Sequence, residues 1–295
     1  NCQFIISGDP KQIQPVRQNE IQPENIYQMV GLNSFAAAQK HPQVECLNIQ
    51  YRSIPTIGEL VSEFSYNGLV KPNRTQDSQK KLDIGFKISS INFVGFKTEL
   101  LDNLYGLDAI DGSAFHLYSA IFGYEYASYI AQRIADEKPE EPYSIGIVCP
   151  YKKQADCIKQ MIELRDISND ACMISCGTVH SFQGDECDIM IVVLNPPMNI
   201  GQNAHVNNQN IINVAMSRAK DYLFFLVPDN RIPGFTTREV LGKMANDKSI
   251  MFCNDIEQIM FEQSDYIQQH TNVTCHMPVN VYYEPSSFYE VRKDD

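Results

Sequence analysis

The sequence predicts an α/β fold in which a parallel sheet is covered by helices on both faces. Three observations lead there. Ser144 to Cys149, Met173 to Thr178, Ile189 to Leu194 and Tyr222 to Val227 are short runs of nearly unbroken apolar or small residues. That is the pattern of strands buried on both sides, not of strands with one wet face. The segments between them repeat apolar residues at helical spacing, as in Ala127, Ile130, Ala131 and Ile134, or Ile212, Ala215, Met216 and Ala219. Strands and helices also alternate, as the crossover connections of a parallel sheet require.

Taken in order, Gln3 to Ser7 reads as a short strand that breaks at Gly8-Asp9-Pro10, a turn sequence. The chain opens directly in this run, without Met, and a buried strand needs neighbours on both sides. The sequence is therefore expected to be a piece of a longer polypeptide. Over residues 56–66, Ile57, Leu60, Val61 and Phe64 fall on one helix face. Residues 70–123 hold polar clusters, Gly106, Gly112 and Gly123, and only brief apolar patches such as Ile91 to Phe96. They read as a less regular insertion. From residue 124 the rhythm is regular. A helix is stopped by Pro139 and Pro142, and Ser144 to Cys149 follows as a strand. Tyr151 to Leu164 is a helix with Ala155, Ile158 and Ile162 inward. Two more strands, a helix running through Asn213 to Lys220, and a last strand complete the pattern. Beyond about residue 230 the pattern weakens into a small C-terminal extension, with 270–295 a possible β element.

Composition bounds the function. With 295 residues, 43% hydrophobic and 20% charged, the chain has too much apolar material for disorder. Its net charge of −12 excludes a protein that coats nucleic acid with general positive charge. A binder that confines its cations to one groove is not excluded, because net charge averages over all faces. No apolar run approaches the roughly 20 residues of a membrane span, and no basic-then-apolar leader opens the chain. The nine cysteines are odd in number, form no C-x-x-C pair and sit partly inside apolar segments. They read as reduced thiols of a cytoplasmic protein. Cys172 and Cys176 lack a second ligand pair for zinc, so no metal site is expected.

Four segments place polar residues at strand ends, where the carboxyl edge of an α/β sheet binds ligands. They are Gly8-Asp-Pro-Lys-Gln-Ile-Gln-Pro-Val16, Gln50-Tyr51-Arg52, Thr178 to Asp188, and Asn213-Val-Ala-Met-Ser-Arg-Ala-Lys220. Each alone has an ordinary explanation as a turn or a solvated surface. Together, and in this order, they resemble motifs III, IV, V and VI of superfamily-1 helicases. Ile145 to Gln154 is similar to the family segment before motif V. The Gln-Tyr-Arg and Gln-Gly-x-Glu forms look most like the 1B branch, which includes the RNA-decay helicase and bacterial DNA relatives.

The resemblance implies a RecA-like parallel sheet. Residues 1–46 would end a first RecA-like domain, 47–230 would form a second with the insertion at about 70–123, and 231–295 would be an extension. It implies an ATP-dependent helicase, with ATP and Mg²⁺ as cofactors and single-stranded DNA, or RNA, as partner. Arg52 and Arg218 match arginines that meet the γ-phosphate, where planar guanidinium forks suit phosphate oxygens. Gln12 matches the phosphate and water sensor, and Glu186 the carboxylate that accepts from a ribose hydroxyl. Gly184 matches a position of close backbone approach. Pro150, Tyr151, Thr178, His180 and Ser181 match loops over which the strand runs. His180 is as readily a hydrogen-bonded structural residue, and Tyr151 as readily a packing residue as a stacking one. The sequence contains no G-x-x-x-x-G-K-[ST] and no Asp-Glu pair ending a strand before Gly8. Phosphate and Mg²⁺ would then be held mainly by an N-terminal RecA-like domain of the same polypeptide, and the chain alone is expected to be inactive. The rival reading is a degenerate module that binds nucleic acid or protein without turnover.

Overall fold

The structure, a computed structural model, describes residues 5–13, 26–32, 34–96, 98, 107–165, 167–182, 185–197, 199–201, 204–252 and 256. Two short helices, α1 (Ile26–Met29) and α2 (Phe35–Gln39), come first. Strand β1 (Ile49–Gln50), helix α3 (Pro55–Tyr66) and strand β2 (Lys71–Pro72) follow, with β1 and β2 paired in parallel. Next come β3 (Ile91–Phe96), the antiparallel hairpin β4 (Asp108–Ile110) and β5 (Ser113–Phe115), and the long helix α4 (Leu117–Glu137). The regular part runs β6 (Tyr143–Cys149), α5 (Lys152–Arg165), β7 (Cys172–Thr178), β8 (Cys187–Val193), α6 (Gln209–Met216) and β9 (Ala219–Pro228). Helix α7 (Thr237–Met244) and β10 (Lys248–Phe252) close it.

Six strands form one sheet in the order β10-β3-β9-β8-β6-β7, every pair parallel. Because side chains alternate across a strand, each of the four inner strands feeds two cores. Ile145, Ile147, Ile189, Ile191, Phe224 and Leu226 meet α4 and α5 on one face. Val148, Met190, Val192, Leu223 and Phe225 meet α3, α6 and α7 on the other. Both faces are dry over β3, β9, β8 and β6, which is why these strands read as continuous apolar runs, whereas β7, expected to be buried on both sides, is an edge strand with Met173 70% exposed.

Three expectations change. Residues 70–123 are not wholly irregular: Ile91 to Phe96 is a fully buried strand between β9 and β10, and α4 begins at Leu117. The short patch was masked by the polar residues around it. Residues 231–252 are not merely appended, since β10 extends the same sheet and Leu241 of α7 is buried in the core. Finally, the described part of Gln3–Ser7 is no strand; Ile5 is 98% and Ile6 58% exposed, with no sheet beside them.

The connection from β7 to β8 must cross the sheet from its carboxyl to its amino edge. It does so without a helix, laying Phe182 over β6 and β7. Room for it comes from missing side chains. A Cβ on Gly146 would stand 2.7 Å from Met190 Cε and 3.0 Å from the Phe182 ring, and one on Gly177 would stand 3.2 Å from that ring.

At the amino edge a buried carboxylate ties three strands. Asp188 Oδ2 accepts from the Ser144 N–H (2.9 Å) and hydroxyl (3.0 Å), and Ser144 Oγ accepts from the Asp188 N–H (2.9 Å). Lys80 stands 3.2 Å from Oδ2 and Lys220 3.3 Å from Oδ1. Burial alone would push this carboxyl up, but the Ser144 N–H and the two ammoniums outweigh it and hold the acid below its ordinary value.

Two expected outcomes follow from this packing. Gly146→Val should cost about 1–3 kcal/mol, the usual price of overpacking, seen as a lower urea midpoint with unchanged slope. An unchanged midpoint would mean that the crossover moves aside freely. For Asp188 the folded-state value is depressed, so its stabilisation is full above the unfolded value, near about 3.9. It disappears as pH falls through the folded value. Asp188→Asn should therefore be less stable than the parent at pH ~7, with the gap narrowing as urea midpoints are followed below pH ~4. A gap that stays constant would remove the charge from the explanation.

Candidate functional site

Arg52 lies in the loop between β1 and α3, and the loop is shaped by Gln50. The Gln50 side chain accepts from the N–H groups of Arg52 and Ser53 (both 2.9 Å) and donates to Ser53 O (2.9 Å). It fits because residue 58 is glycine, where a Cβ would stand 2.3 Å from Gln50 Nε2. The loop then docks on the start of β9, with Ser53 Oγ donating to Ala219 O (2.6 Å) and Ile54 N–H to Lys220 O (3.0 Å).

Arg218 was expected within a helix. The helix instead ends at Met216, and Arg218 occupies the turn into β9 with only 3% of its surface exposed. Its Nε donates to Val214 O (3.2 Å) and its Nη1 faces Asp185 O (3.4 Å). Arg52 approaches the same turn, Nη1 donating to Ser217 O (2.9 Å) and Nε to Glu186 Oε2 (2.7 Å). The two guanidiniums, 166 positions apart in sequence, thus share one corner of the fold. Burial first, then the like charge of Arg52, lower the pKa of Arg218. It stays protonated at neutral pH, so the corner holds two cations that repel each other. Glu186 lies among cations, its other oxygen 3.7 Å from Lys220. The Arg52 hydrogen bond is the main reason its carboxyl sits below the usual range.

The loop carrying Gln12 is held against α6 and α3. Tyr66 donates its hydroxyl proton to Asp9 Oδ2 (2.6 Å), and Asn213 Nδ2 bonds both Tyr66 Oη (3.0 Å) and Lys11 O (2.9 Å). Asn210 Nδ2 donates to Gln12 O (3.0 Å). Burial, then the Asp9 charge, push the Tyr66 phenol well up. Gln12 thus lies along the helix that leads to Arg218.

Arg218 and Glu186 immediately precede β9 and β8, and Arg52 is bonded to Glu186 and to Ser217 O, so all three stand at the amino edge of the sheet and not at the carboxyl edge where they were expected. Pro150, Tyr151, Thr178, His180 and Ser181 follow β6 and β7 and lie at the carboxyl edge. Seven-residue strands separate the two edges by about 20 Å. Pro150 is buried and its carbonyl faces His205 Nδ1 (3.2 Å). Tyr151 stacks on His205, centroids 5.5 Å apart at 5°, which favours packing among its two roles. Thr178 and Ser181 bond each other, the Ser181 hydroxyl donating to Thr178 O (2.8 Å), and His180 is exposed. Gly184 lies outside the described residues. Lys153, close by in the first turn of α5, is paired with Asp111 on the β4–β5 turn (2.8 Å).

Sequence reading gave no role to Gln50, Tyr66, Arg74, Asn213 or Lys220, all of which brace this corner. Gln50 and Lys220 flank the arginines in their own motifs, a usable signal; Tyr66 and Arg74 have none. Among the described residues no group of three or more His, Cys, Asp or Glu could hold a metal, and no helix is long and apolar enough to cross a membrane.

Comparison with known proteins agrees with the motifs. The AAA domain family matches residues 32–229. A Danio rerio protein named as a helicase, mov-10-B.1, is 24% identical over 83% of this chain and 26% of its own length. The DNA polymerase alpha-associated DNA helicase A of Saccharomyces cerevisiae is 25% identical over 75% of this chain and 33% of its own. The chain thus spans about a quarter to a third of these relatives. Among solved structures, the C-terminal domain of a possible DNA helicase from Lactobacillus overlaps 68% of this chain and 98% of that domain, at 11% identity and a TM-score of 0.35. With two thirds of its length matched and superfamily-1 motifs in their order, the chain belongs to the AAA domain family, as a superfamily-1 helicase-like domain with an α/β parallel sheet.

Proposed function

We propose that the chain is the second motor half of an ATP-dependent superfamily-1B helicase. Residues 1–46, whose described members supply none of the six sheet strands, would belong to the end of a first RecA-like domain. The observation that supports this most is the corner shared by Arg52 and Arg218. A buried guanidinium beside a like charge is costly, and the cost falls when a polyanion sits between them. Both forks suit phosphate oxygens. The residues here fit the phosphates of ATP. They do not fit its Mg²⁺, for which neither a phosphate loop nor an Asp-Glu pair ending a strand before Gly8 is in the sequence, and no role for the metal is derived on this chain.

ATP, when bound, supplies the phosphoanhydride to be cleaved. Arg52 and Arg218 would neutralise the charge that gathers on the outer phosphoryl oxygens. Gln12, against α6, would orient water or phosphate by donating and accepting through one amide. Glu186 would meet the ribose only by sharing its oxygens with Arg52 and Lys220. A single strand of nucleic acid, DNA by preference, would pass over Pro150, Tyr151, Thr178, His180 and Ser181 at the far edge. Closing and opening against the first domain would move it.

Isothermal titration of ATP·Mg²⁺ into the 295-residue chain should reveal no micromolar site. Nucleotide turnover by this chain alone would sink that expectation. In the hydrolysing polypeptide of which this is a part, Arg218→Ala should lower turnover by about two orders of magnitude or more, with single-strand affinity nearly unchanged. Arg218→Lys should restore little, because one ammonium cannot reproduce the fork. Undiminished turnover in Arg218→Ala would remove Arg218 from the phosphate site, and a parent polypeptide without any turnover would replace the motor with the binding-module reading.

A further inference from the structure

Arg74 follows β2 in a stretch that no motif includes. The β1–β2 pairing brings it to the Arg52 loop: Lys71 N–H donates to Asn48 O and Asn73 N–H to Gln50 O, both at 2.8 Å. From there its guanidinium makes five hydrogen bonds. Nε donates to Ser78 Oγ (3.1 Å), and Nη2 to Ser78 O (2.9 Å) and Asp221 Oδ1 (2.7 Å). Nη1 donates to Arg52 O (2.8 Å) and Lys220 O (3.4 Å). A guanidinium has five N–H donors, so this one is fully used within the fold and keeps none for a ligand.

Its partners are informative. Asp221 is 2% exposed and stands in the first turn of β9, and Lys220 O is the same carbonyl that anchors Ile54 N–H. The third partner is the carbonyl of Arg52 itself. A cation needed only to neutralise Asp221 would do so with one bond; the second arm of the fork reaches past the carboxylate to the main chain of Arg52.

We infer that Arg74 is a positioning residue for Arg52, clamping its main chain to the start of β9 so that its guanidinium meets Ser217 O and Glu186 beside Arg218. In catalytic terms the inference rests on the reading of Arg52 as a phosphate ligand. The clamp itself can be tested without nucleotide.

In the 295-residue chain with ¹⁵N-labelled arginine, the Arg52 Nε–H bonded to Glu186 should give a slowly exchanging signal. Arg74→Lys keeps a cation opposite Asp221 but lacks the fork, and should broaden or abolish that signal with little change in thermal midpoint. Where Arg74→Lys lowers the midpoint strongly, Asp221→Asn, which loosens one anchor and keeps the fork, should weaken the same signal. In the hydrolysing polypeptide, Arg74→Lys should lower kcat about 10- to 100-fold at an unchanged KM for ATP, the scale of a small misplacement of a reacting group. Added to Arg52→Ala it should cost nothing further, because it acts only through Arg52. An intact Arg52 signal in both variants, or losses that multiply in the double variant, would overturn the inference. Undiminished turnover in Arg52→Ala together with a lost signal in Arg74→Lys would leave the clamp standing and overturn the phosphate reading instead.

Discussion

The amino-edge corner depends on how one loop is fastened to one strand. Ser53 Oγ on Ala219 O and Ile54 N–H on Lys220 O join the end of β1 to the start of β9, across more than 160 positions of sequence. Arg218 immediately precedes that strand start, so fixing the loop there sets Arg52 against Arg218 with no further adjustment. Gln50 shapes the loop from inside, Arg74 clamps it from outside, and Gly58 leaves the space that Gln50 fills. Each is a short-range answer to the same requirement, that a long charged side chain be aimed before a ligand arrives.

Why the corner tolerates so many charges follows from their pairing. Taking ions out of water is costly unless they are paired and hydrogen-bonded. Here Asp188 has Lys80 and Lys220, Asp221 has Arg74, and Glu186 has Arg52. Arg218 is the exception. It is buried, its hydrogen bonds go to main-chain carbonyls, and the like charge of Arg52 acts on it more strongly than the opposite charge of Asp185 or Glu186. A fold that compensates its neighbouring charges and leaves one buried cation against a like charge is one in which stability gives way to a site.

The architecture was largely legible in the sequence, because strands dry on both faces leave continuous apolar runs and the helices between them keep their stripes. Ile91 to Phe96 was hidden because a strand of six residues bounded by loops has no periodic context around it. The convergence of Arg52 and Arg218 was legible only through motif order. Their edge was misjudged, because the segment from Thr178 to Asp188 begins at one edge of the sheet and ends at the other, and sequence does not say which end carries which role. Tyr66 and Arg74 were illegible for a plainer reason. Their partners, Asp9, Asn213, Arg52 and Asp221, lie 22 to 147 positions away, and nothing local marks a tyrosine or an arginine as a brace.

That crossing segment has a consequence for how the two edges relate. In a parallel sheet a connection between two strands must return the whole length of a strand, and here the return from Thr178 to Cys187 is short in sequence. Thr178 and Ser181 stand at the carboxyl edge, Glu186 at the amino edge bonded to Arg52, and between them Phe182 is pinned over Gly146 and Gly177. Covalent continuity alone would let a shift at one edge pass to the other. The pinned ring makes the span stiff at its middle, so a shift would either be blocked at Phe182 or carry the ring with it. Close packing favours the first: a Cβ at Gly146 would already crowd the ring at 3.0 Å, and interiors at such density have discrete arrangements instead of graded ones. The described part of the crossover is therefore fixed to the sheet at Phe182, between the edge that carries Thr178 and Ser181 and the edge that carries Glu186.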